Sequence, residues 1–385
     1  MRVLYGVVGE GMGHATRSRV ILEHLLAAGH TVRVVVSGRA HGFLLSRFAG
    51  RERITFDEIH GLHMNYDNNA VDKSESLRTN LAAAPGGLLK NIEVYRKIVT
   101  KDGFEPEIVV SDFESWAYFY GKNHRIPVLS IDNMQVLNRC AHDDDVTDNR
   151  RLDFRLAKTA VKVKLPGCYH YLITSFFFPR VRKKRTTLVP PILRPEILAA
   201  KREPGKHILV YQTADNNAAP IPTLKRLPYE FRVYGLGKDG DDGNVKLRAF
   251  SETGFVDDLR TARAVIAGGG FSLMGEAVHL HVPMLSVPLV GQFEQELNAR
   301  YLQKLGYGQY TASLAPEIVE AFLKRIDAHA DALEKYRPHT NRMLFDLIDE
   351  VCDRVERGDR RPVRLAQPSM GGYSKREDDA DDAED

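Results

Sequence analysis

Three consecutive glycines in the C-terminal half are the residues best suited to holding a charged ligand: Gly268, Gly269 and Gly270. The apolar run before them predicts a buried strand over 264–267, and a helix is expected to begin near Phe271. Glycine carries no Cβ, so backbone N–H groups can approach a ligand closely. The first turn of the helix adds unpaired N–H groups and the positive end of its dipole. This stretch therefore predicts an anion site suited to a diphosphate, to which the Ser272 hydroxyl could contribute.

A carboxylate follows in the same predicted helix. Glu276 lies six residues after Gly270 and can face back toward the glycines. A carboxylate repels phosphate but accepts hydrogen bonds from a sugar diol, so Glu276 is a candidate for binding a ribose. The alternative is a tight turn between a strand and a helix, followed by a surface glutamate.

A second glycine loop lies at the N-terminus, between predicted strands over 3–8 and 31–36 and before a predicted helix over 16–28. A dinucleotide site is one interpretation, but the spacing argues against it. The glycines are Gly9, Gly11 and Gly13, so the third falls one place early and His14 stands where the last glycine belongs. No carboxylate ends the second strand to bind a ribose. Binding of NADP through Arg39 remains an alternative.

Two aspartates end other predicted strands of this half. Asp112 closes the apolar run 106–112, and Asp132 follows the run 126–131. In open α/β sheets, ligands bind beyond the carboxyl ends of the strands. We therefore expect His14, Asp112 and Asp132 to converge, although they are far apart in sequence.

A second α/β unit is expected after the prolines at 190, 191 and 195, which indicate a domain boundary. Its predicted helix over 294–305 carries Glu294 and Gln295 in the first turn, facing the start of the glycine helix if the sheet is parallel.

The remaining predictions include a helix over 77–99 that is interrupted near Pro85, a loop at 143–145, and helices over 149–164, 315–332 and 338–357.

Length and composition narrow the class of protein. A chain of 385 residues suggests two or three domains, and a net charge of +3 is too small to imply nucleic acid. The three cysteines lie far apart in neither metal nor disulfide spacing, which fits a reducing cytoplasm. No apolar run approaches the roughly 18 residues that a membrane span needs. From residue 358 the apolar pattern is lost, and an acidic, disordered tail is predicted through residue 385.

The segment 175–185 places three phenylalanines, Phe176 to Phe178, beside five cations. Aromatic residues with Lys and Arg suit an anionic membrane surface, so a peripheral membrane contact at the inner face is one prediction. The alternative is a core-facing phenylalanine cluster next to a solvated basic loop.

Over about residues 1–358 the chain resembles the nucleotide-sugar glycosyltransferases with two Rossmann-like domains facing a cleft, the GT-B fold. It is most similar to the bacterial N-acetylglucosaminyltransferase of peptidoglycan synthesis and to the UDP-glycosyltransferases. The loop ending in His14 matches the family's glycine loop, whose histidine is the usual general base. Asp112 matches the aspartate that orients that histidine. Glu276 matches the ribose-binding glutamate, and Glu294 with Gln295 matches the pair that binds the donor sugar.

The resemblance implies an α/β fold with an acceptor domain over 1–195, completed by the helix 338–357, and a donor domain over 196–337. It implies inverting transfer of a sugar, UDP-linked, to a hydroxyl acceptor, with a lipid-linked acceptor as one candidate and no cofactor or metal. The sequence departs from the family where Gly268 replaces a frequent histidine and Leu273 a frequent serine. Diphosphate binding would then depend on backbone N–H groups and Ser272.

Three alternatives come from other classes of protein. A non-hydrolysing nucleotide-sugar 2-epimerase shares the two-domain fold and would release an epimerised sugar nucleotide with no acceptor present. A catalytically silent protein would bind the donor without turnover. An NADP oxidoreductase is disfavoured by the displaced glycines.

Overall fold

The structure is a computed structural model that describes residues 1–9, 11–61, 65–67, 70–147, 151–212 and 220–361, with the side chains of 65–82 and 151 outside the description. The predicted acidic tail and part of the polar segment 60–74 therefore lie outside the described residues. The elements of the first half are β1 (Arg2–Val7), α1 (Met12–Ala27), β2 (Thr31–Val36), α2 (Gly38–Arg47), β3 (Ile54–Glu58), β4 (Asn65–Asp67), β5 (Ala70–Asp72), α3 (Lys73–Arg96), a π-helical turn (Lys97–Lys101), β6 (Ile108–Asp112), α4 (Ser115–Asn123), β7 (Val128–Asp132), α5 (Val136–Arg139), α6 (Asp144–Thr147), α7 (Arg151–Lys164), β8 (His170–Thr174), β9 (Thr186–Val189) and α8 (Pro195–Ala199).

The second half continues with β10 (Ile208–Tyr211), α9 (Pro220–Lys225), β11 (Phe231–Tyr234), β12 (Gly240–Asp242), β13 (Val245–Leu247), α10 (Glu252–Thr261), β14 (Ala264–Ala267), α11 (Phe271–His279), β15 (Met284–Ser286), α12 (Phe293–Lys304), β16 (Gly308–Tyr310), α13 (Pro316–Lys324), α14 (Ile326–Leu333) and α15 (Arg342–Glu356).

The first sheet has seven strands in the order β3-β2-β1-β6-β7-β8-β9, and every neighbouring pair is parallel. The direction of strand addition reverses between β1 and β6, where Val7 lies opposite Asp112. In such sheets the crevice for a ligand opens at this reversal, beyond the carboxyl ends of the strands. The loop after β1 and the end of β6 therefore form the crevice of the first domain.

The second sheet follows the same plan in the order β12-β13-β11-β10-β14-β15-β16. Only β12, at the edge, is antiparallel to its neighbour. The reversal falls between β10 and β14, where Tyr211 lies opposite Ala267, so the three glycines after Ala267 occupy the second crevice. The predicted fold class, α/β with two Rossmann-like domains, is confirmed.

Both faces of each sheet are covered, which explains the continuous apolar runs that predicted the strands. Along β1, Val3 and Tyr5 enter one core cluster while Leu4 enters another. The last helix, α15, packs its apolar face into the cluster of Val3 and Tyr5, although it follows the whole second sheet in sequence. The chain therefore crosses back to the first domain, and its terminal helix covers one face of the first sheet.

One core cluster extends from the first domain into the second. Phe176 stacks on Phe271 with ring centroids 5.9 Å apart, and Phe177 stacks on Tyr301 at 4.0 Å. Phe176 and Phe177 are only 1% and 2% exposed, and Phe178 is partly buried. The prediction that these phenylalanines contact a membrane is therefore wrong, because they join the two domains instead.

Several local predictions also differ from the structure. Helix α3 continues through Pro85, because Gly87 packs directly on the His60 ring and the Asn91 amide hydrogen-bonds the His60 backbone. The predicted helix over 315–332 is two helices that meet at Arg325. The predicted loop at 143–145 is largely the short helix α6, and the hairpin of β4 and β5 was not predicted.

Candidate active site

The centre of the first crevice is a hydrogen-bonded pair, His14 and Asp112. His14 lies in the first turn of α1, and Asp112 is the last residue of β6. His14 Nδ1 lies 2.8 Å from Asp112 Oδ1, and the carboxylate is fully buried while the imidazole keeps 19% of its surface exposed. The two side chains that the sequence predicted to converge therefore touch, and the imidazole alone reaches the cleft.

Arg17, one helical turn after His14, holds the same carboxylate. Its Nε donates to Asp112 Oδ2 at 2.8 Å and its Nη2 donates to Oδ1, while Ser18 Oγ donates to Oδ2 at 3.0 Å. Burial alone would raise the pKa of Asp112, but the charge of Arg17 and the hydrogen bonds from Arg17 and His14 hold it well below its usual range. Asp112 is therefore ionised at neutral pH and can only accept hydrogen bonds.

The hydrogen-bond network assigns the tautomer of His14. An ionised carboxylate 2.8 Å from Nδ1 requires the proton on Nδ1, because two acceptors would otherwise face each other. Arg17 Nη2 also lies 2.6 Å from Nδ1, but it can direct its protons to Asp112. The lone pair is therefore on Nε2, which is the nitrogen free to take a proton from a ligand.

The environment also keeps His14 neutral. Burial lowers the pKa of His14, the charge of Arg17 lowers it further, and Lys164 acts in the same direction. Asp112 opposes this shift through its charge and its hydrogen bond, without reversing it. A neutral imidazole with its lone pair on Nε2 is the form that a general base requires.

Asp132 does not join this pair. Its two carboxylate oxygens accept from Ser130 Oγ at 2.7 Å and from the Gln135 backbone N–H at 2.8 Å. Burial raises the pKa of Asp132 to about 6. The carboxylate therefore stabilises the turn after β7, and only its charge is felt by Arg17.

The glycine loop of the second domain has the geometry of an anion site. Gly270 caps α11 with φ −62° and ψ 122°, and a Cβ added there would meet no atom within 4 Å. Gly269 packs closely, since an added Cβ would lie 2.2 Å from the Gln295 carbonyl oxygen. The N–H groups of the first turn of α11 therefore face open space in front of Gly270.

The two glycine loops meet across the cleft. Ser272 Oγ donates to the Gly13 carbonyl oxygen at 3.3 Å, and a Cβ added to Gly13 would lie 2.7 Å from that hydroxyl. Gly11, the N-cap of α1, has φ +84°, a conformation that favours glycine. His14 and the start of α11 therefore lie on opposite walls of one narrow cleft.

Gln295 supports the glycine loop from behind. Its Oε1 accepts from the Gly269 N–H at 3.1 Å and the Leu289 N–H at 3.2 Å, and its Nε2 donates to Gln292 Oε1 at 2.5 Å. The Gly268 carbonyl accepts from Ser286 Oγ at 3.4 Å. The sugar-binding role predicted for Gln295 stays a prediction, while its structural role in this loop is clear.

Glu294 connects the two domains. Its Oε1 accepts from Asn133 Nδ2 of the first domain at 2.5 Å and from Asn298 Nδ2 at 2.6 Å. Asn133 Oδ1 in turn accepts from Arg17 Nη1 at 2.8 Å, and Asn298 Nδ2 also donates to the Gly269 carbonyl at 3.1 Å. A hydrogen-bonded chain thus runs from the Asp112 carboxylate to the glycine loop.

Glu276 faces an arginine from the segment between the two sheets. Arg194 Nε and Nη2 donate to its two carboxylate oxygens at 2.8 and 2.9 Å. Burial raises the pKa of Glu276, and Arg194 opposes that shift. The charge of Glu276 also contributes to raising the pKa of Tyr211, which ends β10. The carboxylate therefore lies near the second crevice. Its ribose-binding role stays a prediction.

Sequence reasoning missed Arg17, Asn133, Asn298 and Arg194. Arg17 was detectable, because a residue three places after His14 shares its face of a helix. Asn298 was detectable in the same way, because it lies four residues after Glu294 in α12. Asn133 and Arg194 lie on other elements and reach the site only through the tertiary fold. Among the described residues, no three His, Cys, Asp or Glu side chains gather as a metal-binding group, and no helix is long and apolar enough to cross a membrane.

The fold and the facing glycine loops define a two-domain enzyme of the GT-B type. A sequence model of glycosyl transferase family 1 matches residues 1–327, and the chain belongs to this family. A relative from Methanosarcina mazei, named an uncharacterized glycosyltransferase, is 27% identical over 384 residues, covering 89% of this chain and 93% of its own. A second, from Methanosarcina acetivorans, is 24% identical over 390 residues, covering 92% and 93%. The protein is therefore a glycosyltransferase.

Solved structures of glycosyltransferases share the fold. The glycotransferase of kitacinnamycin has a TM-score of 0.63 and 18% identity over 91% of this chain and 98% of its own. LpCGTa, in complex with UDP, has a TM-score of 0.60 and 14% identity, covering 92% of this chain and 99% of its own. MurG of Acinetobacter baumannii has a TM-score of 0.56 and 16% identity, covering 91% of this chain and 99% of its own. At these identities, the likeness concerns the fold alone.

Proposed function

We propose that this glycosyltransferase moves a sugar from a nucleoside-diphosphate donor, UDP-linked, to a hydroxyl acceptor, with inversion and without a metal. The observation that carries the proposal is the contact between Ser272 and the Gly13 carbonyl. Across this contact, His14 lies on one wall of the cleft and the first turn of α11 lies on the other, and this supports a base on the first wall and an anion site on the second. A base and a leaving-group site on opposite walls suit a direct displacement.

In this mechanism, His14 Nε2 takes the proton of the acceptor hydroxyl as its oxygen attacks the anomeric carbon. Asp112 accepts the hydrogen bond from Nδ1 and stabilises the imidazolium that forms. Attack from the side of His14 expels the diphosphate toward α11, which inverts the anomeric carbon. The negative charge that grows on the diphosphate is stabilised by the backbone N–H groups at the start of α11 and by the Ser272 hydroxyl.

Two carboxylates divide the remainder of the donor in this proposal. Glu276 binds the nucleoside ribose, because its helix begins at the diphosphate site and the ribose is the next group along. Glu294 binds the transferred sugar, because it lies between the glycine loop and the first domain. Gln295 would support sugar binding by Glu294, because its side chain holds the glycine loop in place. The UDP of the LpCGTa structure supports a uridine donor as the first to be tested.

Glu276→Gln should weaken UDP and a UDP-sugar alike, by roughly ten- to a hundredfold, because a hydrogen bond to a charged group is worth about 1.5–3 kcal/mol. Glutamine can still accept a hydrogen bond from Arg194, so the contact between them is only partly lost. Glu294→Gln is the matched variant, and it should weaken the UDP-sugar while leaving UDP unchanged. Calorimetric titration of both variants with both ligands measures this. Unchanged UDP affinity in Glu276→Gln would show that the ribose assignment is wrong.

A further inference from the structure

Arg194 lies in the segment between β9 and α8 that leads from the first domain to the second, and its backbone is fixed there. The preceding residue, Leu193, donates its N–H to Asn341 Oδ1 at 2.9 Å and accepts from Asn341 Nδ2 at 2.6 Å through its carbonyl. The same segment packs on α11, because a Cβ added to Gly275 would lie 2.8 Å from Pro191 Cβ. Arg194 therefore reaches Glu276 from a fixed point of the backbone.

The pair formed by Arg194 and Glu276 is almost closed to solvent, with side chains that are 9% and 7% exposed. A carboxylate has about four acceptor positions, two on each oxygen. Arg194 occupies one position on each oxygen, and no other donor reaches this carboxylate in the described part of the chain. One position on each oxygen is therefore left for a second pair of donors, and the two hydroxyls of a ribose present such a pair.

Arg194 is also the cation that favours an ionised Glu276. Burial raises the pKa of Glu276, and the charges of Glu196 on α8 and Glu252 on α10 add to this shift. The charge and the hydrogen bonds of Arg194 oppose it. Arg194 Nη1 lies 3.8 Å from Glu252 Oε1, which is too far for a hydrogen bond, so its hydrogen bonds to carboxylates go to Glu276.

The other groups around the pair are engaged elsewhere or neutral. Arg19 of α1 donates to Glu196 at 2.9 Å and to Glu252 at 3.1 Å, and Arg47 of α2 also donates to Glu252. The phenol of Tyr211 lies within the fields of Glu276, Arg194 and Arg39, and burial raises its pKa. No second cation in these surroundings takes the place of Arg194 if its side chain is removed.

We propose that Arg194 is a positioning residue for the donor, which holds the Glu276 carboxylate ionised and turned so that its two remaining acceptor positions meet the ribose hydroxyls. The inference rests on the proposed function, in which Glu276 binds the ribose. Arg194 acts through Glu276 and needs no contact with the donor. A planar guanidinium matches both oxygens of a carboxylate, whereas the ammonium of a lysine is a point charge.

Titration of Arg194→Met with UDP at pH 7 and pH 9 tests this role. A buried glutamate without a cation partner reaches a pKa of about 8–9, so Glu276 is mostly protonated at pH 7 in this variant. UDP should therefore bind roughly tenfold more weakly at pH 7 and only about threefold more weakly at pH 9. Each loss is taken against the unmodified protein at the same pH, so that the titration of UDP itself cancels. Arg194→Lys keeps the charge, and its smaller loss should be equal at both pH values.

Two controls show whether Arg194 acts through Glu276. The double variant Arg194→Met/Glu276→Gln should bind UDP as Glu276→Gln alone does, at both pH values. Arg232→Met removes another ion pair of the second domain, with Asp258, and should leave the affinity for UDP unchanged. The proposal is overturned if Arg194→Met binds UDP as well as the unmodified protein or more tightly. A loss that is equal at both pH values, or a double variant weaker than Glu276→Gln, would also overturn it.

A measurement without ligand separates this inference from the proposed function. In Arg194→Met, the folded pKa of Glu276 lies further above its unfolded value of about 4.3, so the native state loses stability as the pH rises through the folded pKa. Between pH 5 and pH 9 the denaturant midpoint of Arg194→Met should therefore fall relative to that of the double variant, which has no carboxylate at position 276. Parallel midpoints would overturn the effect of Arg194 on Glu276. If the relative fall is present but the unmodified protein binds no nucleoside diphosphate, the proposed function fails and the effect of Arg194 on Glu276 stands.

Discussion

Replacing His14 with alanine should lower the turnover number for sugar transfer by about 10²- to 10⁴-fold, the usual contribution of a positioned general base. Donor affinity should change little, because His14 lies in α1 of the first domain, outside the glycine loop that is proposed to bind the donor. The turnover number can be followed as release of nucleoside diphosphate from the donor in the presence of an acceptor hydroxyl.

His24→Ala is the control for this variant. His24 lies on the same helix but stacks on Phe345 and pairs with Asp349 at 2.8 Å, away from the cleft. It should keep the turnover number of the unmodified enzyme. Equal activity in His14→Ala would remove His14 from the mechanism.

The pH profile of the activity tests the protonation state of His14. The neutral form of His14 is the active one, so activity should fall as the pH falls through the pKa of its imidazole. Because burial and Arg17 lower that pKa from its usual value of about 6.5, the acid limb should lie below pH 6.5. An acid limb above pH 6.5 would contradict the arrangement of charges around His14.

Arg17→Met should produce the largest loss of stability, on the order of 3–5 kcal/mol, because it leaves a buried carboxylate without its main partner. Denaturant unfolding at pH 7 measures this. The low folded pKa of Asp112 stabilises the native state above the unfolded pKa of about 3.9, and this contribution is lost as the pH falls through the folded pKa. Without Arg17 the folded pKa rises, so the difference from the unmodified protein should shrink between pH 7 and pH 4.

Two further variants separate positioning from stability. Arg17→Met removes a positive charge beside His14, so the acid limb of its pH profile should move to higher pH, whereas Arg17→Lys keeps the charge and the limb. Arg33→Met, which removes another buried arginine paired with a carboxylate, Asp57, should destabilise the protein without moving the limb. If Arg17→Met leaves the limb in place, Arg17 has only a structural role.

Much of the fold could be predicted from the sequence, because buried parallel strands appear in it as continuous apolar runs. The strands at 31–36 and 264–267 and the start of α11 lie where they were predicted. Periodicity failed where tertiary contacts decided the outcome. The close packing of Gly87 on His60 kept α3 continuous through Pro85, and the aromatic contacts between the domains took Phe176 and Phe177 into the core.

The site was predictable to the extent that it depends on ends of strands. His14 and Asp112 could be paired from the sequence because both follow strands at the reversal of one sheet. The partners of the predicted residues could not be found in this way. Arg194 lies 82 residues from Glu276 and Asn133 lies 161 residues from Glu294, so only the packing of the two domains brings them together.

The measurement that tests the central claim most directly is a thermal shift of the unmodified protein and of Gly270→Val with nucleoside diphosphates. A ligand that binds only the folded state at about 100 times its Kd adds about 2.7 kcal/mol of stability. A Cβ added at position 270 meets no atom within 4 Å, and the observed φ of −62° is open to any L residue. Gly270→Val should therefore fold, while its side chain enters the space in front of α11. Gly42→Val, at a helical glycine with equally open space, is the control. We predict that UDP raises the melting temperature of the unmodified protein and of Gly42→Val but not of Gly270→Val. An equal rise in Gly270→Val, or no rise with any nucleoside diphosphate in the unmodified protein, would contradict the account.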